Sequence, residues 1–233
     1  METLTQLFKV LWAPQETLFY AAKQPRVIAP LIFLTLFATA EAATLLVRVD
    51  SGQLRVEQWQ REGIADKLSA EDQLTLVTSA RAQQRIALLS SAVRPLLMTA
   101  VAAGIFWGCF SMFGRTADFK TFFSITAFSF IPLTIRSLLS IATLIVAAPS
   151  PRVLEIAGSL SPAVFLNPFL SRVMYVGCSL IDLVSIWILA LLVIGFGFVT
   201  LPNVTKLQRV AIVVGVWLVY ATLRMGFAVV ANV

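Results

Sequence analysis

Five times in this chain an apolar run is long enough to cross a bilayer. The runs extend from Val27 to Val47, about Ala92 to Phe113, about Phe119 to Ala148, about Val173 to Val199, and Val210 to about Ala231. A membrane-spanning helix needs about 20 such residues. Apolar side chains surround each run, and none alternates with a period of two. Helices satisfy their own backbone groups in lipid, whereas a barrel strand reads as about ten residues of alternating polarity. The sequence therefore predicts an all-α polytopic membrane helix bundle of five transmembrane helices. Composition agrees: 58% of residues are hydrophobic and 13% charged, against about 45–50% and about 25% in soluble domains.

The residues present exclude much chemistry. The chain has no histidine, which removes Ser-His-Asp hydrolysis, histidine-ligated metals and histidine proton relays. Its two cysteines, Cys109 and Cys178, fall in opposite leaflets of the predicted bundle and read as packing residues. No cofactor, metal site or catalytic residue is expected. Nucleic acid is not an expected partner, because the net charge of +6 is not gathered into a basic patch. The lipid bilayer is the expected partner, with an unknown protein partner left open. A cleaved signal peptide competes for the first run, since Ala38, Ala40 and Ala42 resemble a small-residue cleavage site. The run is longer than the usual apolar core of about 7–15 residues, which favours a retained helix.

Two regions follow: residues 1–26 as a cytoplasmic amphipathic interfacial segment, and residues 27–233 as the membrane domain, with an outer loop over 48–91. In the first, Leu4, Leu7, Phe8, Leu11 and Trp12 recur at helical spacing, and Pro14 ends or kinks the helix. The segment reads as an anchor for the first crossing or as a surface that also meets a partner. In the outer loop, Ser69 and Asp72 form a helix-start signature, and Leu74, Val77, Arg81 and Leu88 follow at helical spacing. A solvated helical hairpin on the outer rim is expected there. Pro149, Pro151, Pro162 and Pro168 mark an interfacial elbow, with a turn at Asn167. Lys9, Lys23, Arg26, Arg115, Lys120, Lys206 and Arg209 fall on one side of the alternating crossings. The opposite side balances its six cations between Arg48 and Arg85 with six acids. The denser short loops favour a cytoplasmic N-terminus and an outer C-terminus.

Charged residues inside the crossings are costly in lipid and normally face the bundle interior or a water cavity. Glu41, Arg94, Arg136, Asp182 and Arg224 form a candidate buried charged layer, because alternating direction puts all five on one side of the midplane. One reading pairs Asp182 with Arg136 and Glu41 with Arg224, while Arg94 snorkels. The other is a polar pocket for an ion, a lipid headgroup or an anionic solute. Ala100, Gly104 and Gly108 form a small-residue stripe suited to close helix contact within the bundle. Pro132 is expected to kink the third helix beside Arg136.

The order of these pieces resembles the Yip-domain family, the Ypt/Rab-interacting polytopic membrane proteins, and looks most like its bacterial branch. The resemblance rests on Ala13-Pro14-Gln15-Glu16-Thr17 before Gln24-Pro25, on Gly114-Arg115 with Phe119-Lys120, and on Ser129-Phe130-Ile131-Pro132. It continues in Leu166-Asn167-Pro168-Phe169, Ile181-Asp182-Leu183, Ile186-Trp187, Ile194-Gly195-Phe196, Lys206 and Trp217. It implies five transmembrane helices, a cytoplasmic N-terminus, a bacterial inner-membrane location and no catalytic residues. In the eukaryotic branch it implies vesicle traffic, membrane shaping and binding of lipidated small GTPases. This chain departs from that branch, lacking a long N-terminal region and an Asp-Leu-Tyr-Gly-Pro stretch, so small-GTPase binding is not expected.

Two functional readings remain from these residues. One is a non-enzymatic integral membrane protein that organises membrane or binds partners. The alternative is a small transporter, channel or lipid-moving protein that uses the charged layer. The five dissimilar crossings lack the internal repeat that would favour transport. An intramembrane enzyme would need Asp, Ser or Cys chemistry, and no paired motif is present.

Overall fold

The computed structural model describes residues 2–63, 69–114, 117–166, 172–200 and 204–230. The predicted turn at Asn167–Pro168 and the cation Arg115 lie outside those residues. The described residues form helices and one short 3-10 turn at Pro162–Phe165, with no strand among them. In chain order the helices are α1 (Glu2–Lys9), α2 (Pro14–Lys23), α3 (Ile28–Arg48), α4 (Ser51–Glu62), α5 (Ala70–Ser91) and α6 (Arg94–Ser111). They continue as α7 (Phe119–Ser129), α8 (Leu133–Val146), α9 (Pro151–Ile156), α10 (Arg172–Leu180), α11 (Leu183–Thr200) and α12 (Lys206–Val230). Among the described residues five segments have the length and apolarity to cross a membrane: Ile28–Arg48, Arg94–Ser111, Phe119–Val146, Leu183–Thr200 and Lys206–Phe227. Ile32, Leu36, Val101, Ile105, Ile145 and Leu223 are exposed along them, the outward apolar surface that lipid requires.

The first and third crossings run side by side in the same direction. Ser124 Oγ donates to the Arg26 carbonyl at 3.4 Å, Ser137 Oγ to Glu41 Oε2 at 2.7 Å, and the Arg48 guanidinium to the Leu144 and Ile145 carbonyls at 3.2 and 2.9 Å. The separations of these pairs in sequence stay between 96 and 98. Partners on two antiparallel helices would instead keep a constant sum of residue numbers.

The core gathers towards the end of the bundle that carries α1 and α2, called here the N-terminal face. Phe106 and Phe110 of α6, Phe122 of α7 and Phe196 of α11 meet there, Phe196 lying 5.0, 5.2 and 5.1 Å from the other three rings. The N-terminal segment enters this core. Leu7 and Val10 are buried, as are Leu18 and Ala21 of α2, and Thr17 Oγ1 donates to Gln6 Oε1 at 3.0 Å, tying α2 to α1. Pro14 opens α2, where its missing N–H is no loss. Phe8 and Trp12 stay 50% and 67% exposed, so the amphipathic segment buries one side in the bundle and presents aromatic rings on the other. Gly195 permits the close approach of three helices: a Cβ there would collide with Ile125 Cγ2 of α7 and lie 3.5 Å from Leu18 of α2.

Two apolar runs that the sequence presents as continuous are interrupted. In the third, Pro132 lacks an N–H and α7 gives way to α8 through i→i−3 bonds. Ile131 donates to Phe128, Leu133 to Phe130 and Thr134 to Ile131. In the fourth, α10 stops at Leu180 and α11 starts at Leu183. Leu160 from the preceding loop fills that break. Its N–H donates to Asp182 Oδ1 at 3.2 Å and its carbonyl accepts from Leu183 N–H at 3.3 Å.

The described part of the segment between the first two crossings is a pair of packed helices, α4 and α5. Asp50 caps α4, accepting from the N–H groups of Gly52 and Gln53, and Gly63 closes it in the left-handed region. Ser69 caps α5 by accepting from Asp72 N–H at 3.1 Å. The C-terminal half of α5 lies along the last turns of α3, where Gln84 Nε2 donates to the carbonyls of Leu45 and Val49.

Candidate functional site

The charged residues of the crossings divide by burial. Asp182 is 2% exposed. Glu41 is half-buried, whereas Arg94, Arg136 and Arg224 are exposed on the bundle. Two of the five come together in level: with the offset of 96 between α3 and α8, Arg136 stands beside Ala40, one position from Glu41. The ion pairs suggested by charge counting are not formed. Glu41 takes the Ser137 hydroxyl instead of Arg224, and Asp182 takes the Leu160 amide instead of Arg136. The reason is local. Ser137 sits one turn into α8 at the matching register, and the helix break brings a loop amide within reach of Asp182 before any guanidinium.

Asp182 directly precedes α11, and its carbonyl accepts the first helical bond, from Ile186 N–H at 3.0 Å. A carboxylate there faces the positive end of the helix dipole. Its second oxygen, Oδ2, is buried without a hydrogen-bond partner. Ser161 is buried beside this break, and its hydroxyl lies 2.9 Å from that of Ser159. Gly158 holds φ at +70°, and a Cβ there would lie 2.6 Å from the Arg136 carbonyl. The loop is thus pressed between α8 and the α10–α11 break.

Gly104 and Gly108 meet nothing within 4 Å where a Cβ would stand. Among the described residues no helix makes the close approach that their spacing permits. Pro132 is buried at the α7–α8 junction. Cys109 and Cys178 are free thiols, both half-buried. Among the described residues no three His, Cys, Asp or Glu side chains gather to hold a metal.

Two carboxyls outside the crossings are held below the usual range. At Asp50 the Arg81 guanidinium is the main cause, donating from Nη2 at 2.7 Å and from Nε at 3.0 Å, with the amides of Gln53 and Gly52 adding to it. At Asp118 the Thr121 hydroxyl is the main cause, at 2.6 Å, and the Thr121 N–H adds to it at 3.1 Å. Asp118 was not apparent as a site residue from the sequence. The available signal was its place three residues before Thr121 at the start of an apolar run, which reads as a helix cap.

A family model described as the Yip1 domain matches residues 8–226 of the chain. No curated protein and no solved structure matches it.

Proposed function

We propose, since this chain belongs to the Yip1 domain family, that it is a non-enzymatic multi-pass membrane protein that organises the bilayer around it and holds partners at its N-terminal face. The supporting observation is the docking of α1 and α2 into one end of the bundle. That docking adds two helices to the protein's cross-section at one face. It also leaves Phe8, Trp12 and Phe19 exposed beside Lys9 and Lys23. Aromatic and cationic side chains together suit an anionic membrane interface. On this reading the N-terminal face is cytoplasmic, the C-terminus lies outside, and the membrane is a bacterial inner membrane. A small GTPase is not the partner we expect, and the charged residues of the crossings are structural.

Flux across proteoliposomes tests this against a transport role. Reconstituted protein should leave small-ion and anionic-solute flux at the level of empty liposomes, and Asp182→Asn and Arg136→Gln should change nothing. Flux that appears with the protein and disappears with either substitution rejects the organiser reading. Crosslinking from Phe8 or Trp12 positions in native membranes should then capture the partner.

A further inference from the structure

The N-terminal face carries an open cavity of about 390 Å³ between the end of α2, the start of α7 and the end of α11, with Phe19, Lys23, Asp118 and Phe198 exposed along it. This is within the size range of small-ligand sites, about 300–1,000 Å³. One wall is apolar, from Phe19, Ala22, Phe198 and Val199, with the rings of Phe19 and Phe198 edge to face at 5.5 Å. Two charges of opposite sign complete it: the Lys23 ammonium, 5.6 Å from the centre of the Phe19 ring, and the Asp118 carboxylate. These two groups line one cavity without forming an ion pair with each other. Asp118 is also oriented. Its Oδ1 accepts both the Thr121 hydroxyl and the Thr121 amide, and the Lys120 charge also acts on the carboxylate.

We propose that this cavity binds the headgroup of a phospholipid bearing both a phosphate and a primary ammonium, that is, a phosphoethanolamine headgroup. The phosphate lies on Lys23 Nζ and the ammonium donates to the Asp118 carboxylate. The glycerol and the first acyl carbons lie on Phe19 and Phe198. A site with one cation and one oriented anion complements a zwitterion. A simple anionic headgroup would meet Asp118 as a like charge. A quaternary choline carries no N–H for the carboxylate to accept. The membrane, and not a soluble compound, is the source, because the Phe19 and Phe198 rings of the wall are exposed beside the ends of the crossings. The proposal goes beyond the organiser reading and does not depend on it, since a lipid site serves a transporter equally well.

The test uses the full-length protein in nanodiscs containing equal parts of phosphatidylethanolamine, phosphatidylcholine and phosphatidylglycerol, released gently and weighed with its retained lipids. Phosphatidylethanolamine should be retained about tenfold over phosphatidylcholine, a difference of about 1.4 kcal/mol. Asp118→Asn keeps a helix-capping side chain and should bring that ratio to within about twofold while phosphatidylglycerol retention rises. Lys23→Gln, on an exposed side chain, should lower retention of all three and so reports even where the Asp118 variant fails to fold. Lys206→Gln, at the exposed start of α12 and outside the cavity lining, should leave the ratio unchanged. Equal retention of ethanolamine and choline lipids by the unmodified protein overturns the proposal. So does an unchanged ratio in folded Asp118→Asn, or displacement of the lipid by millimolar soluble phosphoethanolamine.

Discussion

The two halves of the third crossing have nearly the same kind of sequence and opposite environments. In α7 every residue from Thr121 to Ser129 is buried, whereas in α8 only Thr134, Ser140 and Leu144 are. The difference lies in the neighbours. α7 is packed by α2, α3, α6 and α11, while α8 has α3 along one side and the short α9 beside it. Docking of the N-terminal helices turns one end of the bundle into a core closed on all sides. The other end stays a thinner assembly that lipid must complete. Its ties are largely polar: Arg48 on the carbonyls that end α8, Gln84 on those that end α3, and Arg152 on Val164 and Leu166. Such bonds to helix-end carbonyls satisfy acceptors that would otherwise be lost in the membrane.

The contrast breaks most directly at Phe196, which is fully buried and touches three other rings. Phe196→Ala is expected to cost about 3 kcal/mol, the lower end for a buried phenyl ring. Lipid solvates a released ring well, so only packing is lost. Reversible unfolding in mixed micelles measures it. A cost near zero would show that the aromatic cluster is not a closed core.

A paired comparison sharpens the point. Ile125 of α7 is fully buried and Ile145 of α8 is 56% exposed. Ile125→Ala should cost about 2 kcal/mol and Ile145→Ala less than about 0.5 kcal/mol, by the same unfolding measurement. Equal costs would remove the distinction between the two halves.

Asp182 and Asp50 compare a buried carboxylate with one at the surface. Asp182→Asn should lower the yield of folded protein from membranes more than Asp50→Asn does, because only Asp182 holds a loop in a helix break. Equal yields would show that the loop is held by other contacts.

The smallest effect is one of pH. Asp50 is depressed in the folded protein chiefly by Arg81, so its contribution is present above the ordinary carboxylate range. It is lost as acidification carries pH down through the folded value. Hydrogen exchange at α4 should therefore quicken on acidification, beyond the intrinsic pH dependence of exchange, and the excess should vanish in Asp50→Asn. An exposed pair of this kind contributes little, so α3 and α8 should show no such excess.

Much of the fold was legible because lipid imposes one rule on every crossing. Long apolar runs had to be helices, and the runs beginning near Val27, Ala92, Phe119 and Val210 correspond to α3, α6, α7–α8 and α12. Ser69, read as a helix start, caps α5, since a cap is a bond between neighbours in the chain. The stop at Asp182 was not legible. An acid inside an apolar run reads the same whether the helix continues or a loop amide arrives from 22 residues earlier to end it. The shared level of Glu41 and Arg136 followed from counting along two helices that run the same way. Their partners did not, because counting gives height and not azimuth.

From the residues alone came the solvent of this protein, its helical class and the number of segments able to cross. Those depend on composition over about 20 residues at a time. Tertiary structure alone decided that α2 docks into one end of the bundle, that α7 is its centre, and that Lys23 and Asp118 line one cavity. Each depends on which side of a helix meets which neighbour, and a run that is apolar all round carries no mark of that choice.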